Sequence, residues 1–326
     1  MKSNQSNSSN DCAISRRKGL GPINDFTINE LIAMPWFFGT VKIQNNDGEM
    51  YLGGNDCGTA LRLFWNGQYE ASSIRIWKAL ANQARYIFDI GAHTGIYSIV
   101  AGNIVKSKNT SGTNVQKIFA FEPYIVNYVR LMLNIKLNML VDIVISNQLG
   151  VSERPGSMLL NVPNVISIDY NSAGPTLEGM GDKRRSASSH QVSTIGIDDF
   201  YAEKNLTNRA LNSFDLFKVD VEDHEPAVLK GMNKRLEDGH AILLLECVNP
   251  EPTRIASEML KSKGYRFLAI NEHNNQLINE HELRVIYRTS REGKKELDRR
   301  YLNRLCVNSK ITDKELMTIL NAREVQ

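Results

Sequence analysis

The 326-residue chain lacks several features that mark specialised classes of protein. Its cysteines are few and far apart, at Cys12, Cys57, Cys247 and Cys306. Because no CxxC pair occurs, we expect neither a metal site nor a disulfide framework. No stretch approaches the ~18 apolar residues of a membrane helix, and the first ten residues are too polar for a secretory signal. We therefore expect a cytoplasmic protein with no membrane span.

A strong excess of one charge is also absent. The chain has 39 basic and 36 acidic residues, and its formal net charge is +3. Proteins that bind nucleic acid usually carry a strongly basic patch, so we expect no nucleic-acid partner. Hydrophobic residues make up 42% of the chain, which is typical of a globular protein with a substantial core.

Shifts in composition divide the chain into four regions. Residues 1–20 are polar and are predicted to be a disordered tail. Residues 21–70 are predicted to form a small N-terminal α/β extension, with a helix over residues 26–38 followed by a β-hairpin. Residues 71–290 are expected to form the main domain, and residues 291–326 a charged helical tail.

Apolar strands alternate with helices along the main domain. This pattern predicts a doubly wound, mostly parallel sheet of seven strands with helices on both faces. The predicted strands cover residues 86–90, 117–122, 142–145, 216–221, 241–247, 265–270 and 283–287. The predicted helices cover residues 72–83, 96–105, 124–138, 225–236 and 252–263. The irregular stretch after the third strand is expected to hold an added strand at 156–162 and a polar lid at 171–191.

The first strand leads into a glycine turn at the edge of the sheet where open α/β folds bind ligands. The turn follows Asp89 and runs from Gly91 through Ala92 and His93 to Gly95. Such a turn lets a ligand approach the backbone next to a helix N-terminus. A dinucleotide loop needs glycine at the position of His93, because pyrophosphate lies against it. The loop therefore favours a ligand without a pyrophosphate; a purely structural turn is the alternative.

The second strand ends in Glu122, which precedes Pro123. A carboxylate at this position can accept hydrogen bonds from both hydroxyls of a ribose. Glu122 follows Asp89 by 33 positions, whereas a dinucleotide site places its acid ~20 residues after the loop. The spacing therefore favours a nucleoside ligand over NAD(P), and a solvent-exposed carboxylate is the alternative.

The fourth strand ends in a cluster of acids around one histidine. The cluster consists of Asp220, Glu222, Asp223, His224 and Glu225. Carboxylates this close raise the pKa of at least one member, which suits a general base. Asp220, Glu222 and His224 are the candidates for that role. Acidic residues also favour a helix N-terminus, so part of the cluster is expected to be structural.

The fifth strand ends in Glu246, beside Cys247. Glu246 faces either a substrate or water, and the sequence leaves both interpretations open. We treat Glu246 and Asp223 as candidate substrate contacts. Cys247 is expected to be a packed thiol, because nothing near it in the sequence would activate a nucleophile.

Taken in order, these segments resemble the FkbM-type methyltransferases, a branch of the class I S-adenosylmethionine-dependent enzymes. The resemblance covers roughly residues 56–246. It rests on Trp65–Glu70, Phe88–Gly95, Ala120–Pro123 with Asn134, Thr194–Phe200, and Phe217–Glu222 with Glu225 and Leu229–Gly231. One position departs from the family, which usually has glycine after the glutamate that matches Glu222. Here that position is Asp223.

The resemblance implies a Rossmann-like methyltransferase fold, S-adenosyl-L-methionine as cofactor, and O-methylation of a hydroxyl on a sugar, glycan or natural product. Gly91 and Gly95 would frame the methionine portion, Glu122 would bind the ribose, and Asp89 would contact the amino group. The full set of implied cofactor-binding residues is Asp89, Gly91, Ala92, His93, Gly95, Glu122 and Pro123.

Three other functions remain open at the level of the sequence. One is a non-catalytic binding module that retains the nucleoside pocket, which the departure at Asp223 favours. A second is an NAD(P)-dependent oxidoreductase, which the glycine turn disfavours. The third is methylation of a nucleic-acid base, which the weak basic charge disfavours. The sequence gives neither the acceptor nor the oligomeric state.

Overall fold

A computed structural model describes residues 36–54, 57–108, 116–163, 176–177, 186–206, 214–289, 293 and 295–321. The predicted disordered tail lies outside these residues, as does most of the predicted lid. The helix expected over residues 26–38 falls mostly outside them too. Its last residue, Phe38, begins a β-strand instead.

The strands of the described residues are numbered in chain order. They are β1 (Phe38–Lys42), β2 (Glu49–Gly53), β3 (Ile87–Ile90), β4 (Ile118–Phe121), β5 (Val144–Asn147), β6 (Gly150–Val151), β7 (Gly156–Pro163), β8 (Thr176–Leu177), β9 (Ser186–Ile195), β10 (Asp215–Val219), β11 (Ala241–Glu246), β12 (Tyr265–Ile270), β13 (Leu277–Glu280), β14 (Tyr287–Thr289), β15 (Lys295–Leu297) and β16 (Asn303–Asn308). The α-helices are α1 (Gly58–Asn66), α2 (Ala71–Ala81), α3 (Ile96–Lys108), α4 (Ile125–Leu137), α5 (Ile197–Glu203), α6 (Glu225–Gly231), α7 (Asn233–Asp238), α8 (Pro250–Ser262) and α9 (Asp313–Asn321).

The main sheet has the order β13-β12-β16-β11-β10-β3-β4-β5. The five strands from β11 to β5 pair in parallel, whereas β16 is antiparallel to both of its neighbours. The predicted doubly wound, mostly parallel α/β architecture is confirmed. In the described part of the chain this sheet has eight strands, one more than predicted, because β13 adds an antiparallel strand at one edge.

The strand that completes the middle of the sheet is β16, which lies within the region predicted to be a helical tail. Strand β14, near the expected closing strand at 283–287, belongs instead to a separate two-stranded sheet. The sequence hides β16 because it contains a buried charge: Arg304, its second residue, is 0% exposed. The Arg304 guanidinium is paired with Glu280, with Nε 2.6 Å from Oε2. A buried charge is tolerated when it is paired in this way.

A second sheet, of order β6-β9-β7-β8, projects from the main domain. Its main component is the antiparallel pair of β7 and β9, in which Gly156 lies opposite Thr194. The added strand predicted at 156–162 is thereby confirmed. The ring of His190 on β9 lies 5.9 Å from the ring of Tyr124, which immediately precedes α4. The second sheet therefore reaches the carboxyl edge of the main sheet.

The N-terminal hairpin of β1 and β2 is attached to α4 by two asparagines one turn apart. Asn134 Oδ1 accepts a hydrogen bond from the Tyr51 backbone N–H at 2.9 Å, and Asn138 Oδ1 accepts one from Glu49 at the same distance. The Asn134 side chain also donates to the Thr94 carbonyl, at 2.8 Å. Thr94 belongs to the glycine turn that carries the candidate site. The N-terminal extension is therefore tied directly to that turn.

Apolar side chains cover both faces of the main sheet, as double-sided burial requires. One face holds closely packed aromatic rings, and the Phe88 and Phe217 rings stack with centroids 4.7 Å apart. Among the described residues, no helix is both long and apolar enough to cross a membrane.

Candidate active site

Gly91 lies where the ends of β3 and β10 approach most closely. Its φ is +79°, and a Cβ atom at this position would lie 1.7 Å from the carbonyl oxygen of Asp220. Gly95 is constrained similarly, because its Cβ would lie 2.4 Å from Leu131 Cδ1. Contacts within the protein are therefore enough to require both glycines, and the requirement does not depend on a ligand.

His93 occupies the centre of the same turn with a left-handed backbone, at φ +51°. Its backbone N–H donates a hydrogen bond to Glu122 Oε2 at 2.9 Å. Burial lowers the pKa of the His93 imidazole to about 4, although the Asp220 carboxylate opposes this shift. The ring is therefore neutral near pH 7. Ala92, beside it, donates its N–H to the Phe121 carbonyl at 2.9 Å.

Glu122 is 5% exposed and is held by backbone donors on both of its oxygens. Oε2 accepts from His93, and Oε1 accepts from the Tyr124 N–H at 2.9 Å. Burial raises the pKa of the Glu122 carboxyl to about 7, although these two backbone hydrogen bonds oppose the shift. A carboxylate has about four lone-pair positions, so Glu122 can still accept from a ligand. Pro123 follows it as a half-buried link to α4.

Asp89 is turned into the domain, with 1% of its surface exposed. Its Oδ2 accepts a hydrogen bond from the Ser98 hydroxyl at 2.6 Å. Burial raises the pKa of Asp89 to about 6, whereas the Ser98 hydrogen bond and the Lys218 ammonium lower it. The suggested contact between Asp89 and a cofactor amino group remains a prediction.

A second group of polar side chains surrounds Lys218, which is 1% exposed. Its Nζ lies 2.9 Å from Asp220 Oδ2 and 3.2 Å from Asn303 Oδ1. The ammonium also lies 5.2 Å from the centroid of the Tyr97 ring. Burial opposes the charged form of Lys218, but the surrounding carboxylates outweigh burial and raise its pKa. Lys218 is therefore a buried permanent cation.

Asp220 and Glu246 form a hydrogen-bonded carboxyl pair beside this cation. Burial would raise the pKa of Asp220, but the Lys218 ammonium and the hydrogen bonds outweigh it, and the net pKa is lowered. Burial and the adjacent Asp220 charge raise the pKa of Glu246 well above its usual range. The pair therefore holds one proton, on Glu246, while Asp220 is ionised.

Glu70 extends this network, although the sequence indicated it only as part of a family-like segment. Its Oε2 accepts hydrogen bonds from the Tyr97 hydroxyl at 2.5 Å and from Asn303 Nδ2 at 2.9 Å. Glu70 has a left-handed backbone, at φ +40° and ψ +52°. Strained backbone of this kind concentrates at functional sites. A continuous chain of hydrogen bonds thus links Glu246, Asp220, Lys218, Asn303, Glu70 and Tyr97.

Glu222 and Asp223 form the turn after β10, and both have positive φ, at +51° and +77°. The backbone at Asp223 is therefore the kind that favours glycine, in agreement with the residue usual in the family. Aspartate tolerates this region better than most residues. Its Oδ2 accepts a hydrogen bond from Asn249 Nδ2 at 2.6 Å. The Glu222 charge contributes to the raised pKa of Glu246, which places it near the carboxyl pair.

His224 has a different environment from the other candidate bases. It is 3% exposed, and its Nε2 lies 3.0 Å from the hydroxyl of Ser152. Its Nδ1 is buried and has no hydrogen-bond partner among the described residues. Burial alone lowers the pKa of His224 to about 4. No described hydrogen bond connects His224 with Asp220 or Glu246, so the structure does not bring these candidates together.

Glu225 and Cys247 lie beside the carboxyl pair as buried groups of the surrounding core. Glu225 Oε1 accepts a hydrogen bond from the Val221 N–H at 3.2 Å, and burial raises its pKa to about 8. Burial raises the pKa of the Cys247 thiol to about 12, as expected for a packed cysteine. The described residues contain no group of three or more His, Cys, Asp or Glu side chains suited to a metal ion.

Comparison with known proteins identifies the family to which the chain belongs. The model of the methyltransferase FkbM domain matches residues 89–267, more than half of the chain. The chain therefore belongs to the FkbM methyltransferase family. The match includes the glycine turn, Glu122 and the acids after β10 and β11, but Glu70 lies before it.

Solved structures similar to this chain include methyltransferases of low sequence identity. The methyltransferase FkbM from Methylobacillus flagellatus is 14% identical, with a TM-score of 0.36; the match covers 68% of this chain and 43% of that one. The O-methyltransferase from Bacillus cereus, in complex with SAH, is 11% identical, with a TM-score of 0.35 and coverage of 73% and 79%. TomG from Streptomyces achromogenes, an O-methyltransferase in complex with SAM, is 10% identical, with a TM-score of 0.35 and coverage of 73% and 79%. No curated protein matches the chain.

Proposed function

We propose that this protein is an S-adenosylmethionine-dependent O-methyltransferase that acts on a hydroxyl of a sugar, glycan or natural product. One observation carries the proposal: two carboxylate sites of different kinds meet at a single loop. Glu122 accepts the backbone N–H of His93, and the loop that contains His93 packs against Asp220 through Gly91. The proposed nucleoside site and the proposed acid–base site would thereby be adjacent.

The residues on the β4 side fit the nucleoside part of the cofactor. Glu122 accepts hydrogen bonds from two backbone donors and from the Asn127 side chain, and its remaining lone-pair position would accept one from a ribose hydroxyl. The neutral ring of His93 adds no charge next to this site. When bound, S-adenosylmethionine supplies a methyl group that is already activated as a sulfonium.

The residues on the β10 side fit the removal of a proton from the acceptor. Asp220 is ionised because Lys218 holds its charge, and Glu246 carries the shared proton. In the proposed reaction the acceptor oxygen forms a bond to the methyl carbon while the bond from that carbon to sulfur breaks. The hydroxyl proton passes to the Asp220 carboxylate. Glu222 is the second candidate base.

The enzyme's main contribution would be alignment, because an activated methyl group needs only an oxygen in line at near-attack distance. The hydrogen-bonded chain from Tyr97 through Glu70, Asn303 and Lys218 fixes the position of Asp220. The proton of Glu246 is engaged by Asp220, but the remaining lone pairs of Glu246 can accept a hydrogen bond from a second hydroxyl of the acceptor. Such a site suits a compound with several hydroxyls.

Calorimetric titration with S-adenosylmethionine, S-adenosylhomocysteine and NAD tests the cofactor. We expect the first two to bind with micromolar dissociation constants and NAD to show no binding. This outcome would justify a screen of acceptors that begins with glycans. Binding of NAD alone would identify an oxidoreductase, and binding of none of the three would favour a non-catalytic module.

The Glu122→Ala variant tests the assignment of the ribose site. We expect S-adenosylmethionine affinity to fall by about 10- to 100-fold, because hydrogen bonds to a charged group contribute about 1.5–3 kcal/mol. Glu258→Ala, on the exposed side of α8, is the matched control and should bind as the wild type does. Unchanged affinity in Glu122→Ala would show that the ribose lies elsewhere.

A further inference from the structure

The outer face of α4 is apolar and exposed along its full length. Val129, near its middle, is 52% exposed, and Val126 is 60% exposed. We call the exposed apolar residues of this helix and the turn after it the α4 stripe. It consists of Ile125, Val126, Val129, Met132, Leu133, Leu137, Met139 and Val141, which are 37–73% exposed.

The α4 stripe is not the face with which the helix packs on its own domain. That role belongs to Leu131 and Ile135, which are buried against the sheet and α3. The asparagines Asn134 and Asn138, next to them, bind the N-terminal hairpin. Helix α4 therefore has two apolar faces, and the described residues bury only one of them.

Another crossover helix of the same length, α8, shows the usual arrangement for a solvated surface. Its exposed side carries Arg254, which is paired with Glu251 at 2.8 Å and with Glu258 at 2.5 Å. An exposed apolar surface longer than three helical turns is unusual on a monomer, where the largest patch is typically about 300–600 Å². The α4 stripe thus has the character of an interface.

We propose that the α4 stripe is the contact between two copies of this chain, related by a two-fold axis. Two-fold dimers are the commonest oligomers, and their interface uses the same patch on both subunits. The exposed Lys136 interrupts the α4 stripe, but the apolar side chains around it can pack against the same side chains of a second copy, so one surface suffices. Eight partly exposed apolar side chains offer an area on the order of several hundred Å², close to the ~800 Å² per partner of a standard interface.

Charge favours a protein partner over a membrane surface. Helices that lie on membranes carry several basic residues on their polar face. In α4 the basic residues are Arg130 and Lys136. Arg130 is already occupied, because its guanidinium lies 4.8 Å from the centroid of the Tyr51 ring and donates to the Tyr51 carbonyl. One remaining lysine is a weak anchor for anionic lipids.

The position of α4 leaves room for a second copy. Helix α4 connects β4 to β5, and β5 is the last strand on its side of the main sheet. A partner docked on the α4 stripe would therefore approach from the edge of the sheet. The carboxyl pair of Asp220 and Glu246 follows the central strands β10 and β11, so the contact would lie away from this pair, whereas Ile125 at the start of the stripe is three residues after Glu122.

Sedimentation equilibrium of the full chain tests the proposal, at protein concentrations from about 1 to 100 μM. We expect the wild type to form a dimer. Val129→Asp and Leu133→Glu should each raise the dimer dissociation constant at least about tenfold, because each would bury an unpaired charge. Both side chains are exposed, so the monomer should keep its fold, which circular dichroism would verify. Met317→Glu on α9, where Met317 is 48% exposed, is the matched control and should dimerise normally.

Three results would overturn the proposal. The first is a wild type that stays monomeric over this range. The second is dimerisation by both charged variants with the wild-type dissociation constant. The third is a monomeric wild type that binds vesicles of anionic phospholipid, with binding lost in Val129→Asp, which would assign the α4 stripe to a membrane surface.

Discussion

Glu122 and Asp220 lie on opposite sides of the glycine turn, and the protein compensates their buried charges in different ways. Glu122 is held by backbone N–H groups, and its pKa rises to about 7 because burial dominates. Asp220 keeps 25% of its side chain exposed, and its pKa is lowered because the Lys218 ammonium lies 2.9 Å away. Two carboxylates near one turn therefore differ in protonation near neutral pH.

The difference shows how one edge of a sheet can combine binding and proton transfer. A carboxylate fixed by backbone donors keeps its geometry whatever binds to it, which suits recognition of a ribose. A carboxylate held between a cation and a protonated neighbour stays ionised and so can accept a proton, but its lowered pKa makes it a weak base. The two environments can be perturbed separately, and the following variants do so in order of decreasing expected effect.

The Gly91→Ala variant would force apart the ends of β3 and β10, which meet at the glycine turn. Its Cβ would meet the Asp220 carbonyl at 1.7 Å with φ at +79°. We expect a loss of more than about 4 kcal/mol in the free energy of unfolding, an exceptional cost for one methyl group. Gly293→Ala is the control, since φ is +78° with no atom within 4 Å, and it should cost about 1–2 kcal/mol. Equal losses in urea denaturation would contradict the proposed close approach.

The Lys218→Met variant would remove the cation from the β10 side alone. It would leave the Asp220 charge buried without its partner, which typically costs about 3–5 kcal/mol. Lys204→Met is a suitable control, because Lys204 pairs with Glu203 at 2.7 Å on the surface, with 42% of its side chain exposed. That variant should lose less than about 1 kcal/mol. Urea denaturation at pH 7 measures both, and similar losses would refute the role of Lys218.

Glu122 and Asp220 should make contributions of opposite sign to the pH dependence of stability. The pKa of Glu122 in the folded protein, about 7, lies above its unfolded value of 4.5. The contribution of Glu122 to the free energy of unfolding is therefore complete below pH 4.5 and is lost as the pH rises through 7. Glu122→Gln should therefore gain roughly 2–3 kcal/mol relative to wild type between pH 4.5 and 7.

For Asp220 the folded pKa is lowered, so its contribution is present above the unfolded pKa and is lost as pH falls. The deficit of Asp220→Asn relative to wild type should consequently shrink below about pH 4. Comparing each variant with wild type cancels the titration of His224, but Asp220→Asn also lowers the pKa of His93 further, because the Asp220 carboxylate raises it. Difference curves that slope in the same direction would disprove the assigned protonation states.

The Asp223→Gly variant should have the smallest effect. Glycine would relieve the backbone at φ +77° but would remove the hydrogen bond from Asn249. The relief of the backbone and the loss of the hydrogen bond oppose each other. We therefore expect the free energy of unfolding to change by no more than about 1 kcal/mol. S-adenosylmethionine affinity should stay within about threefold of wild type. A larger change in affinity would show that Asp223 alters the cofactor loop.

The order of strands and helices was largely predictable because double-sided burial leaves continuous apolar runs. The prediction for β12 agrees with the structure at both ends, and most other elements agree within a few residues. The missed strand, β16, contains a buried arginine that only the distant Glu280 makes tolerable. Helix α1 was also missed; its buried side chains contact the hairpin, a packing that local pattern does not reveal.

The candidate site was predictable where a strand end by itself delivers a chemical group. Glu122, Asp220 and Glu246 were proposed in this way, and their roles remain predictions. Lys218 and Asn303 were not singled out, because a lysine within a strand and an asparagine in a presumed tail carry no local signal. Their importance depends on the pairing of residues far apart in the chain, at 3.2 Å between Nζ and Oδ1.

By itself the sequence determined the fold class and the family, because both depend on patterns within short segments, whereas the edge of the sheet that carries the site remains a prediction. Only the tertiary structure decided the environment of each carboxyl group. It joined Asp220 to Lys218 and Glu246, separated His224 from them, and left the α4 stripe exposed. A pKa and an exposed surface are properties of the neighbours that folding brings together, and those neighbours come from five or more separate elements of the chain.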